Sequence, residues 1–389
     1  DRLRSRGLGD VYKRQMIKRA IFLARIFQTI YVDLEPLIFL FAHGVKAMNK
    51  KILLMIRKIN TKCLNFSVSH KLKRVIGRPT GLMIEPFSGC NYKCPLCPAG
   101  LNVLKRDKKE MTFHEFKQYL GNFVYTLEYI TLFHFGEPLL NKELPKMVRY
   151  CTKYYIGTQI STNGMLLTEE KAEKLFKAGL DRLIFSIDTY DGDIYPRYRV
   201  NGDFSKVVEN IKMAVKVKNR LNANTVIVAQ YMLMNENEDI EKMKEHGKRL
   251  GVDEVLIKTI GIGTSVKDHK KAYSFLPSNE KYSRYRANTV ESKFNEYRCD
   301  YIRKRMVLCS DGTVLPCCRD QESEYLLGKC SDKVSLKDIW NNKASIDFRK
   351  ATNENISDLS MCGRCPELSK YKLDPWVDPE ERKNCEMFK

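Results

Sequence analysis

From residue 81 to residue 258 the chain alternates between short apolar runs and longer amphipathic stretches, and no other feature limits the fold so tightly. The strand-like runs fall at 82–86, 129–133, 158–161, 182–187, 225–232 and 254–258. Helical periodicity fills the intervals, at 112–123, 142–152, 168–178, 204–218 and 236–250. Strands joined by crossover helices pair in parallel, because a parallel neighbour needs a connection long enough to return to the same end of the sheet. The expected class is therefore α/β. Local signals agree: Thr112 with Glu115 makes a capping box, Thr168 ahead of Glu169 and Glu170 is a second N-cap, and Gly179 and Gly251 stand where helices end. Pattern alone leaves an open sheet and a barrel both standing.

Four polar clusters fall at or just after strand ends. They are GCNYKCPLC with Cys90, Cys94 and Cys97, then HFGEP from His134, STNG from Ser161 and SIDTYDG from Ser186. Ligands bind at the carboxyl ends of strands in parallel sheets and barrels alike, so one shared site is expected. The C-x3-C-x2-C spacing matches neither the paired C-x2-C knuckles of a zinc ribbon nor the four-thiol run of a bacterial ferredoxin. Three thiolates on one loop would ligate three irons of a cubane and leave the fourth open, as a catalytic metal site requires. Thirteen cysteines in a 389-residue chain with no recognisable cleavable signal point to metal ligation in a reducing cytoplasm rather than to a disulfide scaffold.

These stretches resemble the radical S-adenosylmethionine enzymes, over about 81–258. The resemblance implies a partial (β/α)6 TIM-like barrel whose three-cysteine loop follows the first strand. It implies that Cys90, Cys94 and Cys97 hold a 4Fe-4S cluster and that the methionyl amine and carboxylate of S-adenosylmethionine chelate its open iron. Gly136, Glu137 and Pro138 are similar to the family's Gly-Gly-Glu-Pro segment, which holds the methionyl amine; Phe135 replaces the first glycine. Ser161 and Asn163, with Ser186 and Asp188, resemble the stretches that approach the carboxylate and ribose. Arg199 resembles an arginine near the cofactor carboxylate, with Arg197 as the substitute, and Leu96 takes the position whose apolar side chain contacts adenine. The implied chemistry is reductive cleavage of S-adenosylmethionine to methionine and a 5′-deoxyadenosyl radical, which abstracts hydrogen from a substrate. A flavodoxin or ferredoxin would supply the electron.

Cysteines recur at Cys299, Cys309, Cys317, Cys318, Cys330, Cys362, Cys365 and Cys385. The order Cys299, Gly312, Cys317, then LLGKC, SLKDIW and MCGRC, resembles the SPASM domain of many such enzymes. That implies one auxiliary 4Fe-4S cluster on Cys299, Cys317, Cys362 and Cys365, with structural zinc as the alternative. Tyr371 and Pro375 stand where a full SPASM sequence continues with cysteines, against a second auxiliary cluster; Cys309, Cys318, Cys330 and Cys385 stay unassigned. Cys63 and Cys151 read as buried small hydrophobes, and His134 as either an acid-base group or a packing residue.

The expected division is a non-native scar over 1–15, a helical extension over 16–77, the barrel over 78–260, a linker over 261–298 and the SPASM-like domain over 299–389. No apolar stretch is long enough to span a membrane. Ile17, Ile21, Ile26, Ile30 and Leu34 recur at near-helical spacing, which suits either a helix packed on the main domain or one lying on the inner membrane surface. The net charge of +21 is spread along every segment, so a solvated surface is favoured over nucleic-acid binding. A non-catalytic iron-sulfur or zinc protein that binds nucleic acid is the alternative function. As substrate, a peptide or protein side chain stands beside a small molecule or envelope sugar.

Overall fold

The computed structural model describes residues 50–365 apart from 288, 290, 292 and 294–298. The segment 1–15, the apolar set beginning at Ile17, and Tyr371, Pro375 and Cys385 lie outside the described residues.

Six parallel strands follow one another in sequence order: β1 (Gly81–Ile84), β2 (Tyr129–Thr131), β3 (Gly157–Thr162), β4 (Arg182–Asp188), β5 (Val226–Leu233) and β6 (Glu254–Thr259). Helices α2 (Phe113–Leu120), α3 (Leu144–Lys153), α4 (Glu169–Ala178), α6 (Phe204–Leu221) and α7 (Ile240–Leu250) cross between them, and α5 (Tyr195–Tyr198) is a single turn after β4. The result is the partial TIM-like barrel. Every residue of β4 is buried, as expected for a central strand covered on both faces. Each crossover helix offers one apolar stripe; in α3 it is Leu144, Met147, Val148 and Cys151. The caps read from sequence are present, with the reciprocal Thr112–Glu115 box on α2, Thr168 on α4, and left-handed Gly179 and Gly251 after α4 and α7.

Helix α1 (Lys50–Ser69) closes the amino end of the strands. Arg57 donates to the carbonyls of Tyr154 and Tyr155 at 2.8 and 2.7 Å, and Asn60 exchanges two hydrogen bonds with the Arg78 backbone. The carboxyl end is thereby left to the polar clusters. Among the described residues no helix is long and apolar enough to cross a membrane.

The sheet does not stop at β6 and β1. Strand β7 (Arg305–Leu308) pairs in parallel with β1, Leu82 opposite Met306, and leads into antiparallel β8 (Thr313–Leu315) and β9 (Gly328–Lys329). The nine strands lie in the order β6-β5-β4-β3-β2-β1-β7-β8-β9, so one sheet runs across position 299. Nor is 261–298 bare linker. It carries α8 (His269–Tyr273), and Ile262, Val266, Ala272 and Tyr285 form a small core with Leu96 of the cysteine loop. Helices α9 (Leu336–Trp340), α10 (Lys343–Asn355) and α11 (Ser360–Gly363) complete the C-terminal part.

Candidate active site

The cysteine loop leaves the carboxyl end of β1 and is locked along its length. Cys97 N–H donates to the Cys94 carbonyl at 3.2 Å and Leu101 N–H to that of Cys97 at 2.8 Å. A Cβ at Gly100 would stand 2.5 Å from the Cys94 oxygen, so only glycine closes the turn. Lys93 N–H is held by the Val200 carbonyl at 3.0 Å, and the Tyr92 hydroxyl meets that of Tyr195 at 3.1 Å. Donors also reach the sulfurs: Tyr92 N–H at 3.4 Å and Asn163 Nδ2 at 3.9 Å to Cys90 Sγ, and Arg199 Nη1 at 3.7 Å to Cys94 Sγ. Burial pushes the Cys90 thiol up to about 11 against the pull of the Tyr92 N–H, with Glu137, Cys97 and Cys94 raising it further. Burial raises Cys94 as well, opposed by Arg199. A metal binds the thiolate and so displaces these protons.

The GEP stretch after β2 is docked on that loop. Gly136 has φ +123°, and a Cβ there would lie 2.0 Å from the Phe87 carbonyl oxygen. This close approach lets Glu137 N–H reach the Gly89 carbonyl at 2.8 Å. Glu137 is almost wholly buried and accepts three hydrogen bonds: Thr162 Oγ1 at 2.6 Å and Leu139 N–H at 3.0 Å on Oε1, and Asn163 N–H at 2.9 Å on Oε2. Burial raises its carboxyl while those three donors oppose it. Its carboxylate therefore clamps the end of β3, and Pro138 opens the short turn that follows. Asn163 in turn donates to Asn91 Oδ1 at 2.8 Å, joining STNG to the cysteine loop.

Deeper in the barrel, Ser161 Oγ and Ser186 Oγ lie 3.1 Å apart and Gln230 Nε2 donates to Ser186 Oγ at 3.3 Å, a polar ladder across β3, β4 and β5. Asp188 sits at a break in the β4–β5 register with φ +62°, a left-handed conformation that non-glycine residues adopt at a cost. Arg199 Nη2 stands 2.5 Å from its Oδ2, and Gln230 lies beside the same carboxylate. Burial raises the Asp188 carboxyl, with Arg199 opposing. The two arginines of YPRYR are thus separated by the fold: Arg199 reaches both Asp188 and Cys94, whereas Arg197 pairs with Glu236 on the exterior. Leu96 is buried against Tyr198, Met234, Ile260, Ile262 and Tyr285.

On the other side of β1, the C-terminal thiols form a second group. Cys317 is raised by a hydrogen bond with Cys318 and by burial, with Cys299 adding to both. Burial pushes Cys362 up to about 12, and Cys299 and Cys365 push it further. Cys299, Cys317, Cys362 and Cys365 are therefore electrostatic neighbours. Cys330 instead lies buried below Asp338, and Cys309 faces Glu85 and Arg106. His134 points away from the cysteine loop, toward the Cys318 carbonyl at 3.1 Å. Sequence reasoning passed over Glu85, Arg106, Asn91 and Tyr92; a lone carboxylate closing the apolar run GLMI was the one visible signal for the first.

The donor sets suit iron-sulfur clusters and S-adenosylmethionine. Among the described residues no three ligand-type side chains converge on one point, as a single ion would require. A cubane spreads its thiolates over separate irons, so three thiols along one loop can each take one. The buried Asp188 carboxylate has acceptor capacity for hydroxyl donors, Arg199 suits a carboxylate, and the Leu96 cluster suits an apolar ring face.

Known proteins agree. Residues 84–254 match the Radical SAM superfamily and residues 299–366 match SPASM, an iron-sulfur cluster-binding domain. The PqqA peptide cyclase of Granulibacter bethesdensis is 25% identical over 313 residues, covering 74% of this chain and 80% of that protein. The AdoMet-dependent heme synthase of Methanosarcina barkeri is 30% identical over 168 residues, 43% of this chain and 46% of its own. In fold, Streptococcus suis SuiB bound to S-adenosylmethionine superposes with TM-score 0.56 at 15% identity, covering 88% of this chain and 83% of that one. Neither match region points to a nucleic-acid binder, and that alternative has no support. The chain belongs to the radical SAM enzymes that carry a SPASM domain, with S-adenosylmethionine and 4Fe-4S clusters as its cofactors.

Proposed function

We propose that Cys90, Cys94 and Cys97 hold the catalytic 4Fe-4S cluster and that this chain uses it to open S-adenosylmethionine and remove a hydrogen atom from an organic substrate. The observation that carries the reading is the convergence of three further strand-end segments on the three-thiol loop: Asn163 on Cys90, Arg199 on Cys94, and Gly136 and Glu137 on its base. When bound, the reduced cluster supplies the electron that cleaves the sulfonium and yields the 5′-deoxyadenosyl radical.

The protein's own part is to bind, orient and exclude. Arg199 is placed to receive the methionyl carboxylate, and Asp188 to accept from the ribose hydroxyls. Glu137 holds Thr162 and Asn163 in place, so that the Gly136 backbone can receive the methionyl ammonium. Ser161 and Ser186 line the floor, Pro138 fixes the turn, and Leu96 covers the adenine. The resemblance implies these roles, and burial and hydrogen-bond capacity support them. Cys299, Cys317, Cys362 and Cys365 would hold one auxiliary 4Fe-4S cluster. A low-potential carrier such as flavodoxin or ferredoxin would deliver the electron. The substrate would lie between the barrel mouth and the C-terminal part. Of the two substrate classes, a peptide side chain is favoured over an envelope sugar by the peptide cyclase, whose match runs along most of both chains.

Anaerobic reconstitution tests the reading. The reconstituted full chain, reduced with dithionite, is expected to release 5′-deoxyadenosine from S-adenosylmethionine. The Cys90→Ala, Cys94→Ala and Cys97→Ala variants are expected to lose that release and keep the C-terminal iron. Release undiminished in any of the three refutes the assignment.

A further inference from the structure

In the joint between β1, β2 and β7 a buried polar cluster stands apart from the site above. Glu85 follows β1 and is fully buried. Arg106 Nη2 lies 2.5 Å from its Oε2 and Nε 3.3 Å from its Oε1. Phe135 N–H donates to Oε2 at 3.2 Å and Ser310 Oγ to Oε1 at 3.2 Å. His134, its side chain 2% exposed, has Nδ1 3.7 Å from Glu85 Oε2 and Nε2 3.1 Å from the Cys318 carbonyl oxygen. A carbonyl only accepts, so Nε2 carries the hydrogen of that bond.

One carboxylate thus ties together two things. Through Phe135 it sets the segment bearing His134, Gly136 and Glu137, and through Ser310 it holds the turn between β7 and β8. Burying Glu85 and Arg106 removes both from water, so each depends on the partners that replace it. The value of the pair here lies in register between the two thiol groups.

We propose that His134 is a positioning residue for the auxiliary cysteine set: its Nε2–H bond to the Cys318 carbonyl fixes the Cys317–Cys318 turn, and the Phe135 ring against it, on a residue whose N–H is anchored by Glu85, keeps the imidazole in place. The inference rests on Cys299, Cys317, Cys362 and Cys365 being metal ligands. Partners that orient a ligand from behind typically change metal affinity about 10- to 100-fold when removed, and hydrogen bonding near a cluster tunes its potential.

The test uses the full chain with Cys90, Cys94 and Cys97 all replaced by Ala, reconstituted anaerobically with iron and sulfide so that only the auxiliary site is read. In that background His134→Phe keeps a ring against Phe135, now 4.0 Å between centroids and tilted by 39°, but has no N–H; His134→Gln keeps a donor. His134→Phe is expected to lose auxiliary iron to a chelator about 10-fold more readily, with an altered electron paramagnetic resonance spectrum and midpoint potential. His134→Gln is expected to restore both toward the parent. Should His134→Phe not fold, His134→Leu replaces it and is read the same way. Retention, spectrum and potential equal to the parent in the variant without a donor overturn the inference, as does a His134→Gln variant no better than it. A triple-Ala parent that takes up no iron removes the auxiliary-cluster reading itself, and the inference with it.

Discussion

Replacing Gly136 with Ala probes how the GEP stretch serves the site. At φ +123° the backbone is in a region L residues avoid, at a cost of about 1–3 kcal/mol. The new Cβ would also meet the Phe87 oxygen at 2.0 Å and the Gly89 oxygen at 3.1 Å, both backbone atoms that no rotamer can clear. An overlap of about 1 Å must be relieved by moving the segment off the cysteine loop. That movement lengthens the 2.8 Å bond from Glu137 N–H to Gly89, worth about 1 kcal/mol. The total, about 3 kcal/mol, is survivable for a domain of this size. Catalysis is more sensitive, since a displacement of about 1 Å can cost about 100-fold. Gly136→Ala should therefore fold, melt earlier, and release 5′-deoxyadenosine about 100-fold more slowly, with weaker S-adenosylmethionine binding by calorimetry and unchanged auxiliary iron. Gly121→Ala supplies the control: φ is +47° but nothing lies within 4 Å, and it ends α2 far from the loop. It should lower the melting temperature and leave cofactor cleavage untouched. Cleavage and affinity unchanged in Gly136→Ala would refute the docking argument.

Three further outcomes are expected. Arg199→Ala strands a buried Asp188, a loss of about 3–5 kcal/mol, and should abolish S-adenosylmethionine binding, whereas Arg197→Ala removes only an exterior pair with Glu236 and should bind normally; calorimetry on both reconstituted variants decides. His246 is lowered from 6.5 to about 4 by burial, helped by Arg249 and Lys212, while its Nδ1 meets the Tyr231 hydroxyl at 2.7 Å. A depressed folded value contributes stability that is full above pH 6.5 and is lost as pH falls toward 4, about 3 kcal/mol in all; denaturant titrations should show that slope in the parent and not in His246→Gln. Arg349, 2% exposed, donates to the carbonyls of Ile302, Lys73 and Trp340 and to Asn341 Oδ1, so Arg349→Met should cost about 3 kcal/mol in the first unfolding transition while barrel-bound iron is kept.

What could be read from sequence was what local chemistry enforces. The strands stand within two residues of their expected ends, most plainly β4 and β5, whose burial on both faces makes them near-continuous apolar runs, and the caps are visible because Thr112, Thr168, Gly179 and Gly251 act on their own turns. The three-cysteine spacing was legible for the same reason: its ligand set lies within eight residues. The pairing of β7 with β1 was not. Leu82 and Met306 are separated by more than two hundred residues, and a four-residue strand has too little period to declare its partner.

Burial decides where sequence offers equals. Arg197 and Arg199 share a motif and a charge, but only Arg199 turns inward to Asp188 and Cys94. Cys317 and Cys318 are adjacent, yet Cys318 presents its carbonyl to His134 while Cys317 lies beside Cys299. Glu85 is the strongest case. In sequence it reads as the polar end of a strand; in the fold it is a fully buried acceptor for Arg106, Phe135 and Ser310. A carboxylate placed there loses its hydration, and the donors that replace water come from three separate segments. The residue that looked like punctuation between β1 and the cysteine loop is thus where the barrel and the C-terminal hairpin are fixed to each other, and its effect on the site is exerted entirely through the groups it holds.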